Sequence, residues 1–353
     1  MSFKNGWAAI NMEFSDKVPR TEYSAGFHWD LIRAVTGIDT SVEVNRPGAR
    51  REFLKCWDYS MDWSILVHNS FLEEKGGRTT KMGHAVYQAD GSDYSEKVTQ
   101  AFATPEDAIA LDPCKEFGEF DQADLVRRFE RHYKNNCEVN GTDMVNMSGV
   151  YITMFSGLIE IYGFEMLLLT MGMYPEEFTK VIEGYYQWVR QFFDAYAKTD
   201  IPVMMVHDDL CWTEGPVTHP AWYRKHIFPY IKKMIQPVKE AGKKIIFTSD
   251  GTIDAFFDDF VDLGADMLVM EPTSDIRAFA MKHGDRCGFV GGIDCRTLIY
   301  GSYEQIEQEM KSLMEFGRRY PGFMLAAGNH IPPDVPVDKC LFYNEMYEKY
   351  ARR

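Results

Sequence analysis

Four carboxylates, Asp208, Asp250, Glu271 and Asp294, each stand where a short apolar run gives way to a polar turn, and His207 and His330 occupy similar places. Carboxylates gathered at one point repel one another unless a cation or hydrogen-bond donors offset them. A metal ion is one answer. Zinc accepts imidazole nitrogen and carboxylate oxygen, and a catalytic zinc keeps one position open for substrate or water. Asp250, Glu271 and His330 follow three different runs and could be three such ligands. Helix capping is the competing answer, because a carboxylate at a strand end can accept the first backbone N–H groups of the next helix. Asp250 precedes "GTIDAFFDDF", Glu271 precedes Pro272 and Asp294 precedes "CRTL", so each has a helix within reach. His330 lies in "GNHIPPDVP", where two prolines forbid continuation as strand or helix.

A wider set of polar residues surrounds these. His207 opens the triplet "HDD" with Asp208 and Asp209, and His207, Asp208 and Asp250 are the candidate catalytic groups. Candidate substrate contacts are Glu22, His28, Tyr59, Asp62, Tyr151, Trp212, Thr248 and Asn329, all beside apolar runs. Asp208 or Asp209 could equally hold a neighbouring loop, and Trp57, Tyr59, Trp63, Tyr151 and Trp212 could equally be core or rim packing.

These side chains meet only if the runs beside them are strands of one sheet. Five runs, "IPVMMVH" (201–207), "KKIIFTS" (243–249), "ADMLVME" (265–271), "RCGFVGG" (286–292) and "GFMLAAG" (322–328), alternate with helix-like segments, several closed by glycine. Continuous apolar runs are the pattern of parallel strands buried on both faces. Three more candidates lie upstream, "RTEYSAGF" (20–27), "WSILVHN" (63–69) and "MVNMSGVYI" (144–152). Eight strands suit a closed (β/α)8 TIM barrel, whose chemistry sits at the C-terminal ends of the strands. A doubly wound open sheet is the alternative, but no G-x-G-x-x-G follows any run. The polar, Gly-rich region 70–135 reads as an insertion over the barrel mouth, with a hairpin in it, and residues 1–353 read as one domain.

Composition narrows the partners. A net charge of -15 and a pI near 5.1 repel a nucleic-acid backbone. The most apolar stretch, 150–174, carries Glu160 and Glu165, which would burden a bilayer span, so it reads as a core helix and not a membrane segment. No basic start followed by an apolar run opens the chain, which suggests a cytoplasmic protein. Seven cysteines without a C-x-x-C pair fit reduced thiols.

The ordered motifs "DKVPRTEY", "HDDLCWTEG", "KEAGKKIIFTSDG", "DLGADMLVMEP", "HGDRCGFVGGID" and "GFMLAAGNHIPPDVP" resemble the uroporphyrinogen decarboxylase and corrinoid methyltransferase superfamily along nearly the whole chain. The resemblance implies a (β/α)8 barrel with its site at the C-terminal mouth. Uroporphyrinogen decarboxylases receive the substrate's carboxylates on an Arg-rich segment after the first strand, and that place here reads "SAGFHWD". The thiol-methylating branch holds zinc through a histidine and two cysteines, and Thr248, Asp250 and Asn329 occupy those positions. The departure from both patterns points to the related corrinoid-dependent O-demethylases. It implies transfer of a methyl group from a small methylated substrate, such as an aryl methyl ether, to the cobalt of a corrinoid carried by a partner protein. Zinc on Asp250, Glu271 and His330 would then act as a Lewis acid. His207 and Asp208 would orient substrate, and Tyr59 and Trp212 would shape an aromatic pocket. A homodimer is compatible with this reading. The alternatives are metal-free decarboxylation, with Asp208 or Asp62 stabilising a protonated pyrrole, and a non-catalytic barrel that binds a small molecule.

Overall fold

The computed structural model describes residues 2–80, 82, 99–328 and 330–353. Six parallel strands lie side by side in chain order: β1 (Ser148–Val150), β2 (Val203–His207), β3 (Lys244–Thr248), β4 (Met267–Met270), β5 (Gly288–Asp294) and β6 (Phe323–Gly328). Two short stretches close the ring. Arg20 pairs in parallel with both Leu325 and Tyr59, and Met61 pairs with Val145. Thr21 N donates to Leu325 O at 2.9 Å, Ser60 N to Arg20 O at 2.9 Å and Asp62 N to Val145 O at 3.0 Å. The eight staves make a (β/α)8 barrel, as the runs and the resemblance imply.

The five downstream strands fall where the apolar runs place them, and burial on both faces is the reason. Met205, Ile246, Met267, Val269, Val290 and Met324 point inward into one cluster. Their neighbours Met204, Val206, Phe247, Leu268, Phe289 and Leu325 pack outward against the helices. Both faces are dry, so no polar alternation is needed. Helix Phe3–Ile10 contributes Ala9 and Ile10 to the inner cluster, and so belongs to the barrel's interior packing.

Of the three upstream runs, "MVNMSGVYI" contains β1, and the other two differ from expectation. Only the start of "RTEYSAGF" pairs, because Ala25–Phe27 turns into a 3-10 helix. The second stave lies at Tyr59 to Met61, ahead of "WSILVHN". In that run only Val67 pairs, with Val150, while Trp63, Ser64 and Ile65 line a cavity. The run is apolar because it walls a pocket, a role that local hydrophobicity does not separate from strand burial.

The apolar stretch at 150–174 is helix Met154–Met173, interrupted at Gly163 (φ 69°). It is long and apolar enough to cross a membrane by composition, yet 67% of it is buried inside the protein. Glu160, also buried, accepts a hydrogen bond from Asn69 Nδ2 at 3.0 Å. It is a core helix. Within the polar region, Gln122–Asn140 is a regular helix whose N-cap is Asp121, and the expected hairpin falls largely outside the described residues.

Candidate functional site

A cavity of about 420 Å³ opens at the C-terminal ends of the strands. β2 supplies Met205 and His207, β3 and its turn supply Thr248, Ser249 and Asp250, and Glu271 follows β4. His330 follows β6, and Tyr151 follows β1. Tyr23, Phe27, Arg50 and Trp63 complete much of the opposite wall. The three candidate metal ligands, Asp250, Glu271 and His330, therefore line one cavity.

His207 is 2% exposed. Its imidazole stacks on Tyr151, with ring centroids 3.8 Å apart and planes 8° apart. Its Nε2 lies 3.1 Å from Asp209 Oδ1, while Nδ1 has no hydrogen-bond partner among the described residues. Burial alone would lower the imidazole's pKa, but the charges of Asp209, Asp250 and Asp208 outweigh it and raise the pKa to about 9. Thr248 pairs with His207 across the β2–β3 ladder, and its buried Oγ1 also has no partner among the described residues. Two buried polar atoms without partners stand side by side on the wall, the arrangement expected where a ligand or ordered water completes the bonding.

The turn "FTSDG" is tied down through its backbone. Asp250 N donates to Asp209 Oδ1 at 3.0 Å, and Gly251 N donates to Glu271 Oε2 at 2.9 Å. Gly251 has φ +79°, and a Cβ there would approach Trp212 O to 2.5 Å, so glycine is required on two counts. Capping separates the carboxylates. The segments after Asp250, Asp254–Phe256 and Phe257–Leu263, have no side-chain cap, and helix Ile276–His283 after Glu271 is capped by Asp275. Asp294, by contrast, caps Cys295–Tyr300, accepting from Arg296 N at 2.8 Å, and pairs with the Arg296 guanidinium. Asp250 and Glu271 thus cap neither of the helices that follow them, whereas Asp294 is a cap.

Donor chemistry fits a borderline divalent metal. His207, Asp209 and Asp250 offer ligand atoms all within 4.8 Å of one another. Glu271 and His330 face the same space. Imidazole and carboxylate suit zinc and its neighbours, and no cysteine lines the cavity among the described residues.

Several expected contacts lie elsewhere. Asp208 is fully buried, and its Oδ1 accepts from Phe155 N at 2.7 Å and Ser156 N at 2.6 Å, holding the start of helix Met154–Met173. Burial, only partly opposed by those N–H groups, raises its pKa to about 7. Glu22 is spent on Arg20 Nη2 (2.9 Å), Tyr343 Oη (2.6 Å) and Ala327 N (2.8 Å). His28 caps helix Trp29–Thr36 through Nδ1 and meets Val335 O through Nε2 at 2.9 Å. Tyr59 is buried against Phe53, and Trp212 is half exposed on the hairpin beyond β2, against Phe164. Asp62 pairs with Arg50 behind the wall. Asn329 lies outside the described residues. Three wall residues are not polar residues at strand ends and so lie outside the expected set: Arg50, which reaches in from helix Arg46–Cys56, Tyr23 and Phe27. Arg50 brings a guanidinium to the cavity from outside the "SAGFHWD" segment, which itself carries none.

Comparison with known proteins places the chain. The family model described as Uroporphyrinogen decarboxylase (URO-D) matches residues 81–350. A uroporphyrinogen decarboxylase of Pseudomonas putida is 24% identical over 285 residues, covering 77% of this chain and 75% of the relative. One from Pelobacter propionicus is 19% identical over 232 residues, and the match spans 65% of this chain and 65% of that relative's length. Among solved structures, a methyltransferase from Methanosarcina mazei superposes with a TM-score of 0.66 at 16% identity, covering 99% of both chains, which supports the barrel fold. By its sequence match over most of its length, the chain belongs to the uroporphyrinogen decarboxylase family.

Proposed function

We propose that this barrel is a corrinoid-dependent methyltransferase of the O-demethylase type. It moves a methyl group from a small methylated substrate, an aryl methyl ether in our reading, to the cobalt of a corrinoid on a partner protein. The observation that carries the reading is the convergence of Asp250, Glu271 and His330 on one aromatic-walled cavity, with neither of the two acids capping the next helix.

In this reading Asp250, Glu271 and His330 hold zinc, which when bound supplies Lewis acidity to the ether oxygen and eases departure of the phenolate. Tyr23, Trp63 and Tyr151 wall the aromatic part of the substrate, since offset ring stacking adds about 0.5–1.5 kcal/mol beyond area burial. Thr248 offers its hydroxyl to a substrate oxygen. His207 faces the same space. Asp208 acts indirectly, by anchoring the helix against which the β2 turn rests. Residues 1–353 act as one domain in the cytoplasm, where the seven free thiols stay reduced.

The test is methyl transfer from 2-methoxyphenol to a Co(I) corrinoid protein, followed by the cobalt absorbance. Asp250→Ala and Glu271→Ala should each lower the rate by about 100-fold or more. Unchanged turnover in both would remove the two residues from the mechanism.

A second reading, metal-free decarboxylation of a porphyrinogen, draws on the family and on Arg50, a cation in the cavity wall. Release of CO2 from uroporphyrinogen by chelator-treated protein would favour it.

A further inference from the structure

We propose that Asp209 is a positioning residue: its carboxylate holds the His207 ring so that Nδ1, and not Nε2, is the nitrogen offered to a metal ion in the cavity, alongside Asp250. The inference rests on the metal part of the reading above and adds His207 to the ligand set.

The geometry is specific. One oxygen of Asp209, Oδ1, receives both His207 Nε2 at 3.1 Å and Asp250 N at 3.0 Å. That atom therefore ties the His207 imidazole to the main chain of Asp250. Asp209 N accepts its own restraint by donating to Ser156 Oγ at 2.6 Å, on the helix whose start Asp208 anchors. The ring plane of His207 is set by Tyr151 at 3.8 Å, and the Thr153 hydroxyl donates to the His207 carbonyl. Every degree of freedom of the imidazole is thus restrained, while Nδ1 is left without a partner among the described residues in a side chain 2% exposed.

A buried nitrogen without a partner costs about 1–3 kcal/mol, so a site that restrains the ring in this pose gains only if something else meets Nδ1. His207 and Asp250 line the cavity, whereas Asp209 stands behind them. Although the three side chains lie close enough to share an ion, the engaged Oδ1 gives Asp209 the task of a carboxylate that orients a metal-binding imidazole. Such partners fix which ring nitrogen carries the proton and strengthen the other as a donor.

The test loads the full-length protein with Co(II) alone and records proton NMR. A histidine bound through Nδ1 keeps its Nε2–H, which gives a strongly shifted, exchangeable resonance. His207→Gln assigns it. We expect wild type to show this resonance with slow exchange, and Asp209→Asn to lose it or exchange it rapidly while binding Co(II) about 10- to 100-fold more weakly. Co(II) binding without a His207 Nε2–H signal in wild type overturns the proposal whatever the variant does. So does unchanged affinity and signal in Asp209→Asn, and so does complete loss of binding in a variant whose circular dichroism is native, since that outcome makes Asp209 a ligand. Failure of wild type to take up any Co(II) overturns the metal reading as well, and the titration identifies that case separately.

Discussion

Arg50 Nη2 donates to both carboxylate oxygens of Asp62, at 3.0 and 3.2 Å, so the arginine that reaches the cavity arrives with its charge already compensated. Asn140 binds both partners, accepting from Arg50 Nη1 and donating to Asp62 Oδ2 at 2.6 Å. One compensated guanidinium suits a substrate with many carboxylates poorly, because bidentate contacts from several arginines are the usual means of holding them.

Releasing Arg50 should change what the cavity accepts. Asp62→Asn leaves the shape nearly intact and removes the competing charge, so binding of benzoate should strengthen by about tenfold, the worth of one charge-assisted hydrogen bond. Isothermal titration with benzoate against benzyl alcohol measures it. Equal gains for both ligands would show that Arg50 does not address the cavity as a cation.

The barrel seam depends on a buried ion pair. Arg20 and Glu22 are 0% and 1% exposed, and the guanidinium lies over Trp57, Tyr343 and Tyr347 at 4.5, 5.1 and 4.5 Å. Glu22 also accepts from Ala327 N on β6, joining the first stave to the last. Glu22→Ala leaves a buried cation without its partner and should cost about 3–5 kcal/mol in urea unfolding. Arg20→Met with Glu22→Gln should cost less than the sum of the single changes.

Asp208 should be a stability residue. Asp208→Ala strips two backbone N–H groups of their acceptor at the start of helix Met154–Met173, a loss of about 1–3 kcal/mol. The same change should leave Co(II) affinity within a few fold of wild type, since the side chain does not line the cavity.

His132 sets part of the acid limb of stability. Burial first, and then the nearby charge of His68, lowers its pKa to about 4, and its ring nitrogens meet the hydroxyls of Ser148 (2.9 Å) and Ser64 (3.3 Å). The unfolded chain protonates this histidine near pH 6.5, so the unfolded state binds more protons between about pH 6.5 and 4. Stability is therefore lost as pH falls through that window and is unaffected above it. His132→Asn should shrink the difference in urea midpoint between pH 7 and pH 5, and an unchanged difference would assign the acid limb to other groups.

What the sequence carries and what it hides follow from the same physics. β2 to β6 are legible because strands wrapped by helices must be apolar on both faces, a property of the run itself. The second stave is hidden because "DYSMD" is short and mixed, while the neighbouring "WSILVHN" is apolar for the sake of a pocket. At the site, Asp250, Glu271, His330, His207, Tyr151 and Thr248 announce themselves as polar or aromatic residues at strand ends. Glu22, His28 and Asp208 fit the same rule but spend their hydrogen bonds on a seam, a cap and a helix start. Only partners distant in sequence distinguish these uses. Arg50 escapes the rule because a helix, not a strand, delivers it.

In the function proposed above the cavity holds a metal ion through Asp250, Glu271 and His330, and metal analysis of protein purified without chelator decides whether it does. About one zinc per chain is expected, falling to a small fraction in Asp250→Ala protein that retains its native circular dichroism. Wild-type protein that carries no stoichiometric zinc and takes none up on dialysis against it would rule out the metal site.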